Sequence, residues 1–176
     1  MSRIVLVGEG PGREEDLTGR PFVGRAGRLL DELLASVGLR RSDLYITNVI
    51  KHRATMAAAP GRDRAPAAAE LAACAPWLVA QIDLVRPRII VTLGRIPLAT
   101  FLPAARIADV HGRPQPCGDL TILPLYHPAY ALHSPAVRPV LFRDIRALAR
   151  LGLSPRREPV RREPERAGPR SGAVRS

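Results

Sequence analysis

The chain has 176 residues, 46% of them hydrophobic, with a formal net charge of +11 and a pI near 11.3. That length suits one domain with a full core, and no apolar run is read as approaching the roughly 18–20 residues of a membrane span. Two cysteines, Cys74 and Cys117, exclude a disulfide framework, while the excess of positive charge favours polyanions, nucleic acid first.

The first strand is expected over Arg3–Gly8, four apolar residues followed by glycine. It opens into Glu9-Gly10-Pro11-Gly12, an acidic run, and a second loop of small residues, Gly19-Arg20-Pro21-Phe22-Val23-Gly24. Glycines here allow close approach of a ligand to the backbone, and Phe22 is a candidate stacking surface. Arg25–Val37 reads as a helix, with Leu29, Leu30, Leu33 and Leu34 on one stripe and Gly38 as its stop. Leu44–Ile50 is a second strand, rich in β-branched residues, that ends near Asn48 and is followed by Lys51-His52-Arg53.

Residues 54–65 read as an Ala/Pro/Gly/Arg loop. Pro66 opens a helix that runs to about Leu84. Arg88–Gly94 is a third buried strand, Ile96–Phe101 a short helix, and 108–119 irregular. Leu120–Leu125 is the fourth strand, ending at Tyr126-His127-Pro128, and the last helix spans Val137–Leu151. From Ser154 onward the chain carries seven Arg against three Glu and hardly an apolar residue, which predicts a disordered tail over 153–176 behind one domain over 1–152. Four strands separated by helices predict a three-layer α/β/α fold with a four-stranded parallel sheet. Glu9, Asn48 and His127 each follow an apolar strand, so they converge on the carboxyl edge of that sheet, where open α/β proteins bind ligands.

Three segments carry a resemblance: GEGPGREEDLTGRPFVGRAGRLLDELL, then LYITNVIKHR, then LPLYHPAYAL, over about residues 3–150. They resemble the family 4 uracil-DNA glycosylases. The resemblance implies hydrolysis of the N-glycosidic bond of deoxyuridine in single- or double-stranded DNA, leaving an abasic site. It implies uracil held by the Glu9-Gly10 turn, stacked on Phe22 and read by the Asn48 amide. His127 is then the donor to the uracil O2, and Glu15 the group that places water beneath the sugar. Other branches of the superfamily carry Asp in the first loop where this chain has Gly10. Tyr130 and Leu132 fall in the segment that resembles the family's DNA-entering loop, and Arg20, Arg25 and Lys51 are the expected DNA-contacting cations. The enzyme is expected to be monomeric and cytoplasmic, with no membrane contact.

The chain departs from the family in its cysteines. Relatives hold a four-iron, four-sulfur cluster on four cysteines, two from a C-x-x-C segment ahead of the first strand. Here the chain begins Met1-Ser2-Arg3, His52 stands at the third cysteine position, and only Cys74 matches. One Cys and one His cannot hold such a cluster. The expectation is therefore no metal and no cofactor, with Cys74 and His52 as remnants of the site, unless the start codon is placed too late and a C-x-x-C lies upstream. Two rival readings follow. One is a catalytically impaired DNA- or polymerase-binding member of the superfamily. The other is a phosphate-binding α/β protein using the glycine-rich turn as an anion nest, against which Glu9 argues.

Overall fold

Ile4-Val5-Leu6-Val7-Gly8 form strand β1, and all five residues are buried. A strand covered on both faces needs apolar side chains in both directions, hence the unbroken apolar run rather than an alternation. The computed structural model describes residues 4–56 and 59–151. The tail expected after residue 152 lies outside the described residues.

β1 leads into α1 (Arg13–Thr18), α2 (Arg25–Ser36) and β2 (Tyr45–Asn48). A two-stranded hairpin, β3 (Thr55–Met56) with β4 (Ala59–Asp63), occupies the segment read as a loop. Then come α3 (Ala68–Val85), β5 (Ile89–Leu93), α4 (Arg95–Phe101), α5 (Ile107–Val110), β6 (Gln115–Cys117) and β7 (Leu120–Leu125). Helices α6 (Pro128–His133), α7 (Val137–Asp144) and α8 (Ala147–Arg150) close the described chain.

The main sheet has five strands in the order β2-β1-β5-β7-β6. The four expected strands pair in parallel, and β6 adds an antiparallel edge to β7. The fifth strand corrects the four-stranded expectation. It is three residues long and contains Pro116, too short and too broken to give a strand pattern. The chain runs from β1 outward to β2, then crosses back to β5 on the other side of β1. That reversal places the switch point of the sheet at the carboxyl ends of β1 and β5.

Side chains alternate between two cores. Ile4 and Leu6 face α2, α7 and α8, together with Leu30, Leu33, Leu141 and Leu148. Val5 and Val7 face α3 and α4, together with Leu78, Ile90 and Ile122. α3 corrects the reading of apolar runs. Its 18 residues carry only Glu70 and Asp83 as charges, so by length and composition it is long and apolar enough to cross a bilayer. Those two carboxylates split the run in the sequence but fall near opposite ends of the helix. In the fold, Cys74 and Leu78 pack it against the protein while Trp77 stays 68% exposed.

Candidate active site

A cavity of about 410 Å³ opens at the switch point, lined by Glu9, Gly10, Glu15, Phe22, Asn48, His127 and Tyr130 among others. All the residues read as base-binding or catalytic from the sequence are thus brought together, although they span more than a hundred positions. Each arrives by a different route.

Asn48 is the last residue of β2, paired in register with Gly8 at the end of β1. Its side chain is buried, and its Oδ1 has no hydrogen-bond partner. An unpaired buried acceptor costs about 1–3 kcal/mol, so its retention calls for a donor from outside the chain. Gly8 makes room for it: a Cβ there would collide with the Asn48 amide and the tip of the Phe22 ring. Gly10 is equally confined, since its Cβ would come within 2.6 Å of Ile50 Cγ1.

Phe22 sits in the left-handed region with φ of 55°, uncommon for a bulky residue. Three contacts hold it there. Arg41 donates to the Phe22 carbonyl at 2.8 Å and to the Pro21 carbonyl at 2.5 Å, and pairs with Asp31 at 3.1 Å. Glu15 Oε1 accepts the Val23 and Gly24 amides, both at 2.8 Å. Gly27 lets α2 pass close beneath, where a Cβ would strike the Phe22 carbonyl. The Phe22 ring faces the His127 ring at 5.8 Å with 28° between planes. Arg41 is a site residue that the sequence does not flag. Its partners lie 19 and 20 positions away, and only the fold shows that it clamps the aromatic loop.

His127 follows β7 and caps α6, its Nδ1 accepting the Ala129 amide at 3.1 Å. That bond assigns Nδ1 as the acceptor and leaves the proton of the neutral ring on Nε2. Burial drives its pKa down to about 4, although the Glu15 carboxylate pulls the other way. The ring is therefore neutral at pH 7 and still a donor. Glu9 shifts in the opposite sense: burial raises its pKa, with Arg95 opposing.

The depressed value of His127 has a pH consequence. Because the folded ring binds its proton less readily than the unfolded one, this group supports the fold fully above pH 6.5 and loses that support as pH falls towards about 4. The rate of the chemical step under single-turnover conditions is expected to stay flat from pH 8 to about 5.5. A limb near pH 6.5 would mean that the ring titrates as an exposed histidine.

The expected DNA contacts divide. Arg20 and Arg25 are exposed, and Tyr130 is 49% exposed at the mouth of the cavity. Lys51 does not face outward. Its Nζ donates to the Asn48 carbonyl at 2.6 Å, to Gln81 at 2.7 Å and to Thr47 at 3.0 Å, and burial lowers its pKa. It braces the strand end that presents Asn48. Leu132 is also turned inward, half-buried against the core on the α2 side, so it does not project as a wedge. α6 is the reason: six residues of helix alternate the exposed Tyr130 with inward neighbours, which a loop would not do.

The residues at the expected cluster position do not fit a four-thiolate group. Cys74 Sγ is buried beside Ile50 and Ala54, accepts the Lys51 amide at 3.3 Å, and lies 3.8 Å from His52 Nδ1. His52 Nε2 faces Glu70 at 3.4 Å. Cys117 is elsewhere, against the Phe101 carbonyl. One thiol and one imidazole fall short of four cluster ligands, and among the described residues no three His, Cys, Asp or Glu side chains are grouped to hold a metal ion.

A buried amide with an unpaired acceptor, a neutral imidazole that keeps its proton on Nε2 and an aromatic ring around a cavity at an α/β switch point define an α/β protein whose pocket suits a planar heterocyclic base. Residues 1–149 match the model of the uracil DNA glycosylase superfamily. The chain is 45% identical over 149 residues to a type-4 uracil-DNA glycosylase of Thermotoga maritima, covering 82% of this chain and 74% of that one. It is 40% identical over 159 residues to the type-4 enzyme of Archaeoglobus fulgidus, covering 85% and 77%. With the enzyme of the same name from Sulfurisphaera tokodaii it shares 38% over 166 residues, covering 89% and 73%. The chain belongs to the uracil-DNA glycosylase superfamily, and these relatives are its type-4 members.

Proposed function

We propose that this protein is a uracil-DNA glycosylase that hydrolyses the N-glycosidic bond of deoxyuridine in DNA. The observation that carries the reading is the unpaired Asn48 Oδ1 in the cavity that also holds the neutral His127. A base must leave the stack to enter such a pocket, at a cost of a few kcal/mol. Inside, Asn48 Oδ1 accepts the N3–H of uracil and its amide nitrogen donates to O4. Cytosine has a lone pair at N3 and an amino group at C4, so both contacts become repulsive and the pocket rejects it. Phe22, fixed by Arg41 and Glu15, covers one face of the base.

Cleavage moves the bonding electron pair onto uracil, with negative charge on O2. His127 Nε2–H stabilises that oxygen as a preorganised donor, and its neutrality lets it donate without first protonating the base. Positive charge develops at the sugar carbon. Glu15, with one oxygen tied to the Val23 and Gly24 amides, is held to place water there with the other. The water oxygen bonds to the sugar carbon and its proton passes to solvent, the departing uracil anion takes up a proton from solvent, and an abasic site remains. We place the enzyme in the cytoplasm as a monomer acting on single- or double-stranded DNA, a setting in which its two free thiols would stay reduced.

Incubation with oligonucleotides carrying one uracil, cytosine or thymine, followed by alkaline cleavage of abasic sites, tests the reading. Strand cleavage is expected with uracil alone, on both single- and double-stranded substrate. Binding without cleavage of any substrate would refute a glycosylase.

A further inference from the structure

Beside the base pocket lies a second cavity of about 430 Å³, lined by His111, Arg113, Arg143, Asp144 and Arg150 among others. Three guanidinium groups face it against two carboxylates, Asp109 and Asp144. Asp144 is already engaged. It is buried, one oxygen meets His111 Nδ1 at 2.6 Å, and the other takes two nitrogens of Arg143, each at 3.0 Å. Asp109 lies outside this group, 3.8 Å from Arg106. Arg113 and Arg150 are exposed, and their guanidinium groups have no side-chain partner among the described residues.

The wall of this cavity is rigid. Gly112 has a φ of +71° and donates to the Pro124 carbonyl at 2.8 Å, and a Cβ on it would meet Asp144 Cγ at 2.5 Å. The cavity also lies on the same edge of the sheet as the base pocket. The His111 ring packs on Tyr126 at 4.6 Å, Tyr126 meets Tyr130 at 5.8 Å, and Tyr130 lines the base pocket. Two ring contacts cover the reach of two or three nucleotides, given a rise of about 3.4 Å each.

We propose that this cavity binds a backbone phosphate of the DNA strand carrying the flipped nucleotide. Arg113 and Arg150 supply the charge, and the His111–Asp144 pair supplies the wall. Planar guanidinium forks suit phosphate oxygens, and cations without internal partners leave the anion no competitor. The assignment of the anion to DNA rests on reading the neighbouring pocket as a glycosylase site.

The double variant Arg113→Gln/Arg150→Gln tests it without touching the core. Anisotropy of a labelled uracil oligonucleotide, titrated between about 50 and 200 mM salt, is expected to show affinity about tenfold weaker at low salt. For a duplex, the slope of log K against log salt should become shallower by about 2. Single-turnover excision at saturating enzyme should be unchanged. In a series of oligonucleotides, each with one neutral methylphosphonate, the wild type should lose affinity at one or two positions within a few nucleotides of the uracil. The double variant should be indifferent at those positions.

Wild-type affinity and slope in the double variant would overturn the proposal. So would identical methylphosphonate profiles for the two proteins, or binding of inorganic phosphate that depends on Arg113 and Arg150 with no sensitive position in DNA. A wild type that shows the position-specific loss but excises no uracil would support the phosphate contact and refute only the glycosylase reading.

Discussion

His127→Ala is expected to slow uracil excision by about 10²–10³-fold under single-turnover conditions, the typical cost of removing one oxyanion donor. The affinity for uracil-containing DNA should change far less, because the ring contributes one hydrogen bond that strengthens as charge reaches O2. Two structural effects accompany the loss. The Ala129 amide loses its cap, at a cost of about 1 kcal/mol, and Phe22 loses its facing ring. His127→Asn separates these effects from the chemistry, since asparagine can still cap α6 while its shorter amide falls away from O2. Both variants should be slow, and the Asn variant should melt closer to the wild type. Equal losses of rate and affinity in the Ala variant would mean that the ring only binds the base.

Gly8→Ala should damage the site through a single added methyl group. Gly8 ends β1, an interior strand of the sheet, is itself buried, and has the Asn48 amide and the Phe22 ring where its Cβ would go. Either the amide rotates out of register with uracil or the end of β1 shifts. Overpacking of this kind costs about 1–3 kcal/mol. At about 2–4 °C per kcal/mol for a chain of this size, Tm should fall by several degrees while the fold survives. Excision should fall by about 10²-fold, because a displacement near 1 Å in a positioned group has that effect. The measurement is single-turnover excision beside thermal melting of the same preparation. Normal excision with a lowered Tm would show that the amide tolerates displacement and does not read the base.

Much of the site was legible because of where its residues fall along the chain. Asn48 and His127 close apolar strands, and parallel strands bring their carboxyl ends to one edge, so convergence followed from topology before any distance was known. Glu15 was legible as a site residue, but one of its oxygens secures the Val23–Gly24 turn, which no spacing rule reports. Lys51 read as an outward cation because it borders His52 and Arg53. Gln81, 30 positions away on α3, and the Thr47 hydroxyl draw its ammonium inward instead.

What the sequence by itself determined was therefore the four parallel strands, the α2 stripe and the catalytic edge. Buried parallel strands and an amphipathic helix declare themselves through hydrophobic pattern, a property of consecutive residues. The tertiary structure alone decided the rest. It added the antiparallel edge β6, turned the residues after His127 into α6, and drew Leu132 inward while leaving Tyr130 at the pocket mouth. It brought Arg41 onto the Phe22 loop and the arginines of two separate segments around one cavity. These arrangements depend on contacts between distant residues and on elements too short to carry a period of their own, so they exist only once the chain has packed.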